Sequence, residues 1–523
     1  MITLKLTGTK AFNWFEENEV YAKGYCFATD GNFYRDSDLC SYFNVNSEEE
    51  LKKKLLEANG RFSVIVKRDN ILWAAVDRFR YFPLFYKQIS DVLLISDDIN
   101  TMFADGEKKV VESESSSVFM ALSFVLGKKT LLKGIFQIQA GELLTYKKQT
   151  ITFCFYHKMF SQINNISYSD AKKQLREILE HAGKRMAVLI GKRKVFLSLS
   201  GGLDSRLVAV LLKENKIDNV ECFTYGVKTA NPEWKISKEV AENLHFKWQF
   251  IDYSQIDPDN LYHTNNFTDF YQSVSLYVSK FAFSPYFAAK ILSENNIRKL
   301  LNNPADMVLI TGDGGDFFAG SQFRPYMKNY YSVKTIANDL QYRHCDLIKL
   351  NYKEIKLVKR IIKQELLCDE PLFANIDNWV LKERYAKYII NNGKLWDYFN
   401  FEYQNPLCDT ELMDFFSNLP FDYRLNKKLY IDVISDMFDK YDISFTKDKK
   451  IEQQKPFIQK IKILIKRCLP FVRRNQNVFL TDYFDLKRFY KPILKELETA
   501  GCNRKLLSQN GILTLWYLMK VKH

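Results

Sequence analysis

Six consecutive residues, Ser200-Gly201-Gly202-Leu203-Asp204-Ser205, combine the donor types that suit a phosphate. The two glycines let backbone N–H groups approach an anion with no Cβ in the way, and the serines add hydroxyl donors. Asp204 would repel bare phosphate, so its place in the turn implies a bridging cation such as Mg2+. A second turn, Ile310-Thr311-Gly312-Asp313-Gly314-Gly315-Asp316, follows another apolar run and again mixes glycines with carboxylates. Asp204 and Asp316 are therefore the expected metal pair, meeting above one sheet edge; helix capping by Asp316 is the plainer alternative. Phe317 stands where a dinucleotide fingerprint needs its third glycine, and the chain has no G-x-x-x-x-G-K-[ST] run.

These turns need strands beneath them and a helix aimed at the ligand. Residues 195–199 form a short apolar run before the first turn, and 206–212 read as a helix after it. Further strands are expected at 220–224, 248–252 and 307–311, with helical patterns between them. That alternation predicts a doubly wound parallel sheet, which binds ligands at the carboxyl ends of its strands. Leu199 and the strand end at 224–227, with Tyr225 and Gly226, then border the ligand site.

The first 155 or so residues read differently. Short alternating segments at 1–6, 62–66, 72–76 and 92–96 predict strands, and 141–146 with 149–153 predict a hairpin through Lys147-Lys148. The polar stretch 161–169 reads as a linker. Ala171, Leu175, Ile178, Leu179, Ala182 and Met186 then recur at the spacing of one buried helix face. Beyond about Tyr330 the pattern is mostly helical. Two domains are expected, 1–160 and 161–523.

Composition narrows the function classes. The chain is 46% hydrophobic and 15% aromatic, enough for large cores and far from a disordered composition. Its longest uncharged apolar stretch, about 118–126, is too short to span a bilayer, and the N-terminus shows no signal-peptide pattern. Nine cysteines without a C-x-x-C pair suggest reduced thiols in a cytoplasmic protein, and six histidines without H-E-x-x-H argue against zinc. The net charge of +14 is read as solvated helix faces, with no nucleic-acid partner expected. The basic amphipathic stretch 456–467 could touch an anionic membrane, or pack as a tail helix on its own domain.

The first turn resembles the PP-loop of ATP pyrophosphatases, enzymes that split ATP between the α- and β-phosphates. Both halves together resemble the asparagine synthetase family. The N-terminal half is similar to class II glutamine amidotransferase domains through Gly60-Arg61-Phe62, Val76-Asp77-Arg78-Phe79-Arg80-Tyr81-Phe82-Pro83-Leu84-Phe85-Tyr86, Leu94-Ile95-Ser96, Thr130-Leu131-Leu132-Lys133-Gly134-Ile135 and Ala140-Gly141-Glu142. In the C-terminal half, Cys222-Phe223-Thr224-Tyr225-Gly226-Val227, the Gly312 turn (like S-G-E-G-S-D) and Pro406-Leu407-Cys408-Asp409 (like P-F-L-D) fall in the family's order.

The resemblance implies an α/β protein: an N-terminal Ntn-like αββα sandwich, then a PP-loop domain of the adenine nucleotide α-hydrolase type with a helical extension. It implies ATP and Mg2+, with Ser200, Gly201, Gly202, Asp204, Ser205 and Gly312 around the pyrophosphate. Asp313 takes the family's glutamate position as base, orienting group or turn residue. Lys447, with Lys449 and Lys450 as competitors, takes the family's lysine position. Asp409 and Glu402 are expected to hold the helical region against the sheet. The amidotransferase half departs from its pattern: Ile2 replaces the nucleophilic cysteine, Cys26 lies inside a predicted strand, and Asp30-Gly31-Asn32-Phe33-Tyr34 only weakly matches the glutamine block. Loss of nucleophile and oxyanion site removes the covalent route to ammonia.

The implied reaction is ATP-dependent amide formation from a small-molecule or peptide carboxylate. The nitrogen would come from free ammonia, or from a substrate amine as in β-lactam synthetases and lasso-peptide macrocyclases; amidation of a sugar acid is a further possibility. A tRNA-thiolating enzyme and a non-enzymatic remnant are the competing classes.

Overall fold

The computed structural model describes residues 1–9, 11–159, 164–258, 265–298, 307–329, 332–367, 373–444 and 482–522, at 265–266, 296–298 and 329 for the backbone alone. Its N-terminal part is a two-sheet sandwich whose main strands are buried at consecutive positions, on both faces. The strands are β1 (Ile2–Lys5), β2 (Phe15–Glu17), β3 (Val20–Phe27), β4 (Phe33–Arg35), β5 (Asn59–Arg68), β6 (Ile71–Val76), β7 (Phe85–Ile89), β8 (Val92–Ser96), β9 (Phe136–Gln137), β10 (Glu142–Lys147) and β11 (Thr150–Phe155). One sheet runs β11-β10-β6-β5-β3-β2 with β4 on β3, and the other runs β1-β8-β7-β9. Ile65, Leu72, Ala74, Leu144 and Ile95 fill the space between the sheets. Helices α1 (Ser37–Tyr42) and α2 (Glu48–Glu57) cover the outer face of the larger sheet with Leu39, Leu51 and Leu55. On the far side, Phe85 and Leu94 join the large core that contains Val118, Phe119 and Leu122 of α3 (Ser113–Leu122).

The expected hairpin forms, shifted by one residue. Lys147 pairs with Thr150, so Lys148 and Gln149 make the turn, both with positive φ (49° and 64°). That left-handed pair is the twist a two-residue hairpin loop requires. The expected linker is also shorter than read: Ser167 caps α4 (Tyr168–Ile190) by accepting from the Asp170 N–H, so Tyr168 and Ser169 are already helical. All six apolar residues expected on that helix face are buried.

The second part is the parallel sheet. Its strands β12 (Lys194–Ser198), β13 (Val220–Gly226), β14 (Lys247–Asp252), β15 (Met307–Ile310) and β16 (Glu402–Gln404) run in the order β14-β13-β12-β15-β16, all parallel. Helices α5 (Leu203–Glu214) and α6 (Glu233–Asn243) follow β12 and β13. Residues 205–212 of α5 are all buried, as its almost unbroken apolar sequence demands. β16 was not expected from sequence. Its three residues Glu-Tyr-Gln carry no apolar run, yet all are buried. Among the described residues, the chain after residue 332 is otherwise mostly helical. Among the described residues no helix is long and apolar enough to cross a membrane. The stretch 456–467 lies outside them.

Candidate functional site

At the carboxyl end of β12 the chain turns through Ser200–Gly202 and enters α5, whose first residues follow Gly202 with no side-chain cap. The turn is held from within. Ser205 Oγ accepts from the Ser200 N–H (3.2 Å) and lies 3.1 Å from Ser200 Oγ, which accepts from the Gly202 N–H (3.1 Å). The Gly201 N–H reaches Glu233 Oε2 at 3.4 Å, a long contact that leaves this donor close to free. Arg206, buried in α5, braces the turn through the Gly201 carbonyl and donates to the Ser444 carbonyl at 2.8 Å. A helix N-terminus with backbone donors and two hydroxyls is thus presented at the sheet edge.

The second acidic turn docks directly on that helix end. A Cβ on Gly312 would lie 2.4 Å from the Ser205 nitrogen and 2.7 Å from the Asp204 carbonyl carbon, so only glycine permits this approach. Gly314 adopts φ 126°, which lets the chain double back into the short helix Gly315–Phe318. The Asp316 N–H then donates to Asp204 Oδ2 at 2.6 Å, bringing together two residues 112 positions apart. Tyr430, from the helix Lys428–Asp439, donates its hydroxyl to Asp204 Oδ1 at 2.8 Å. Lys427 Nζ sits 2.7 Å from Asp316 Oδ1.

Burial, reinforced by the charge of Asp316, pushes the Asp204 carboxyl up to about 7; the Asp316 N–H, Tyr430 and Lys427 pull it back only in part. The two aspartates are short of positive charge, and the Lys427 ammonium stands in for a cation beside them. Two carboxylates next to a phosphate cradle are the donor set of a divalent ion that keeps waters and phosphate oxygens as its other ligands. Among the described residues no group of three or more His, Cys, Asp or Glu side chains forms a metal cluster, so this pair would act with the nucleotide's own oxygens.

Asp313 stands on the same turn. Its Oδ2 accepts from Thr311 Oγ1 at 2.8 Å and from the Tyr403 hydroxyl at 3.4 Å. The protein packed around it pushes the carboxyl above its ordinary value despite those two donors. Cys408 Sγ lies 3.5 Å from the Asp313 carbonyl. On the other side of the cradle, Tyr225 at the end of β13 stacks on Tyr253 (5.7 Å) and Phe484 (5.6 Å). Leu199 and Thr224 are tied by a hydrogen bond from Thr224 Oγ1 to the Leu199 carbonyl, 2.6 Å.

The model of the asparagine synthase family matches residues 174–441, just over half of the chain. The chain belongs to the asparagine synthase family. No curated protein matches it. Among solved structures it is similar to the NH3-dependent NAD synthetase from Campylobacter jejuni, at 15% identity over 38% of this chain and 95% of that one, TM-score 0.21. It is also similar to the NMN synthetase from Francisella tularensis (12% identity, 50% and 97% covered, TM-score 0.19). A third is the glutamine phosphoribosylpyrophosphate amidotransferase from B. subtilis (9% identity, 57% and 63% covered, TM-score 0.19).

Within this asparagine synthase family member, Leu199, Ser200, Gly201, Gly202, Gly312 and Asp313 lie on the turns after β12 and β15, Asp204 and Ser205 open α5, Asp316 lies in the helix Gly315–Phe318, and Tyr225 and Gly226 close β13. Lys447, Lys449 and Lys450 lie outside the described residues. Asp409 and Glu402 hold structure together. Asp409 caps the helix Thr410–Ser417 and pairs with Arg185 at 2.8 Å, while Glu402, fully buried, pairs with Arg193 at 2.6 Å and Arg35 at 3.0 Å. Lys427, Tyr430 and Arg206 were missed. An arginine directly before the apolar run 207–212 was a signal for Arg206. Nothing local marks Tyr430 or Lys427, which meet the turn from more than 100 positions away.

Proposed function

We propose that this protein joins a carboxylic acid to an amine at the expense of ATP, releasing AMP and pyrophosphate. The observation that carries the reading is the Asp204–Asp316 contact at the mouth of the phosphate-type turn. In this reading Ser200, Gly201, Gly202 and Ser205 hold the β- and γ-phosphates through N–H and O–H donors, and Leu199, Tyr225 and Gly226 border the adenosine. Mg2+ held by Asp204 and Asp316 would neutralise the pyrophosphate charge.

A carboxylate oxygen of the substrate attacks the α-phosphorus, the bond to the β-phosphate oxygen breaks, and pyrophosphate leaves. The nitrogen nucleophile then attacks the acyl carbon of the acyl-adenylate, and AMP departs. Asp313, whose raised carboxyl is a better proton acceptor than an ordinary aspartate, takes the proton shed by nitrogen. Lys447 is the proposed cation for the charge that develops as AMP leaves.

The N-terminal part, 1–160, is proposed to have no glutaminase activity, with 161–523 as the synthetase domain. Supporting this, Cys26 is buried in β3 and burial pushes its thiol far up, so it offers no thiolate. The nitrogen source is then ammonia or an amine on the substrate, and the site of action the cytoplasm.

Incubating the protein with ATP, Mg2+ and a panel of carboxylic acids, with ammonium or glutamine, and separating the nucleotides tests the reading. AMP is expected with one class of acid and with ammonium or a substrate amine. Glutamine hydrolysed to glutamate, or ADP in place of AMP, would overturn it.

A further inference from the structure

The Asp313 side of the site is held by a buried cation from the sandwich. Arg61 of β5 is 5% exposed and reaches across to β16: one guanidinium nitrogen donates to the Tyr403 carbonyl (2.5 Å), the other to Asn405 Oδ1. Its guanidinium lies 3.9 Å from the Tyr81 ring centre, and the Tyr81 hydroxyl donates to the same Asn405 oxygen. Asn405, so fixed, turns its Nδ2 toward Cys408 Sγ at 3.0 Å, and that sulfur abuts the Asp313 carbonyl. Tyr403, whose carbonyl Arg61 holds, carries the hydroxyl that reaches Asp313 Oδ2. Two short routes therefore run from one arginine to Asp313, through its backbone and through its carboxylate. A buried guanidinium with five donors fixes planar acceptors far more tightly than a lysine could.

We propose that Arg61, with Tyr81, is a positioning residue for the Asp313 end of the site, acting through Tyr403, Asn405 and Cys408. The inference rests on the amide-forming reading above and gives the sandwich a task independent of glutamine: it sets the geometry of the bond-forming half of the site. The phosphate-type turn follows β12, a different strand from the β16 that Arg61 holds. ATP affinity and bond formation should therefore respond differently to its loss.

The test uses the full chain as wild type, Arg61→Met, Arg61→Lys and Tyr81→Phe. It reads the rate at which iodoacetamide labels Cys408, resolved by peptide mass, and the kinetics of AMP release. Burial pushes the Cys408 thiol up to about 12, and freeing Asn405 should open its surroundings. Labelling is expected to quicken at least about fivefold in Arg61→Met and Tyr81→Phe. The kcat for AMP release should fall about tenfold while the KM for ATP stays within about twofold. Arg61→Lys should recover part of both effects. Unchanged Cys408 labelling in folded variants would overturn the proposal, as would a rise in the KM for ATP that matches the loss in kcat. Tyr81→Phe, which removes a single hydroxyl, decides the matter if Arg61→Met does not fold. If the wild type forms no AMP, the amide-forming reading fails and the labelling rates alone decide whether Arg61 positions this loop.

Discussion

Asp204 is the residue on which the chemistry turns, and its environment makes a prediction that needs no substrate. An unfolded aspartate titrates near ~3.9, whereas the folded carboxyl is pushed up to about 7 by burial and by Asp316. The folded state therefore favours the protonated form. Nothing is lost below pH ~4, a penalty grows as pH rises through 7, and above that it is complete. Asp204→Asn removes the penalty while its amide still accepts from the Asp316 N–H. Relative to wild type, the variant should gain roughly 4 kcal/mol of stability at pH 8 but only about 1.5 kcal/mol at pH 5. Thermal unfolding across pH checks this, and an equal offset at both values would refute it. In wild type, added Mg2+ should also raise the melting temperature more at pH 8 than at pH 5, because protons compete for the same carboxylate.

Elements, in contrast to residues, are fixed by close approach. Gly312 lets the turn after β15 lie against the first turn of α5. Gly312→Ala should cost about 1–3 kcal/mol of stability and weaken ATP binding at least about tenfold, because Asp316 moves away from Asp204. Calorimetric titration with ATP measures the second effect; unaltered binding would mean that the docking of these turns is irrelevant to the nucleotide. β16 depends on charge instead. Burial pushes Glu402 up, but Arg193 and Arg35 outweigh it and hold the carboxylate below its ordinary value. Glu402→Gln leaves two arginines underpaired and should destabilise the fold by about 3–5 kcal/mol in denaturant melts. The same strand explains a limit of sequence reading. β12, β13 and β15 were legible because central parallel strands are rich in apolar residues, whereas β16 is held by ion pairs with Arg35 and Arg193, hundreds of positions distant. Tyr430 and Lys427 were illegible for the same reason, while the glycine turns announced themselves because close backbone approach restricts the residue type.

At the scale of the whole molecule, the sandwich and the parallel sheet share one interface, and it ends beside Asp313. Tyr25 donates to Gln404 at 2.7 Å, Asn59 to Asp409 at 3.0 Å, and Arg78 to Asp414 at 2.7 Å, alongside the Arg61 contacts. The account as a whole stands on adenylation of a carboxylate at the Asp204–Asp316 pair. Exchange of labelled pyrophosphate into ATP, run with the acid that supports AMP release, reports that step alone. We predict exchange in the wild type and at least about a hundredfold less in Asp204→Asn and Asp316→Asn. Exchange that persists in both variants, or label that enters ATP only from orthophosphate, would contradict it.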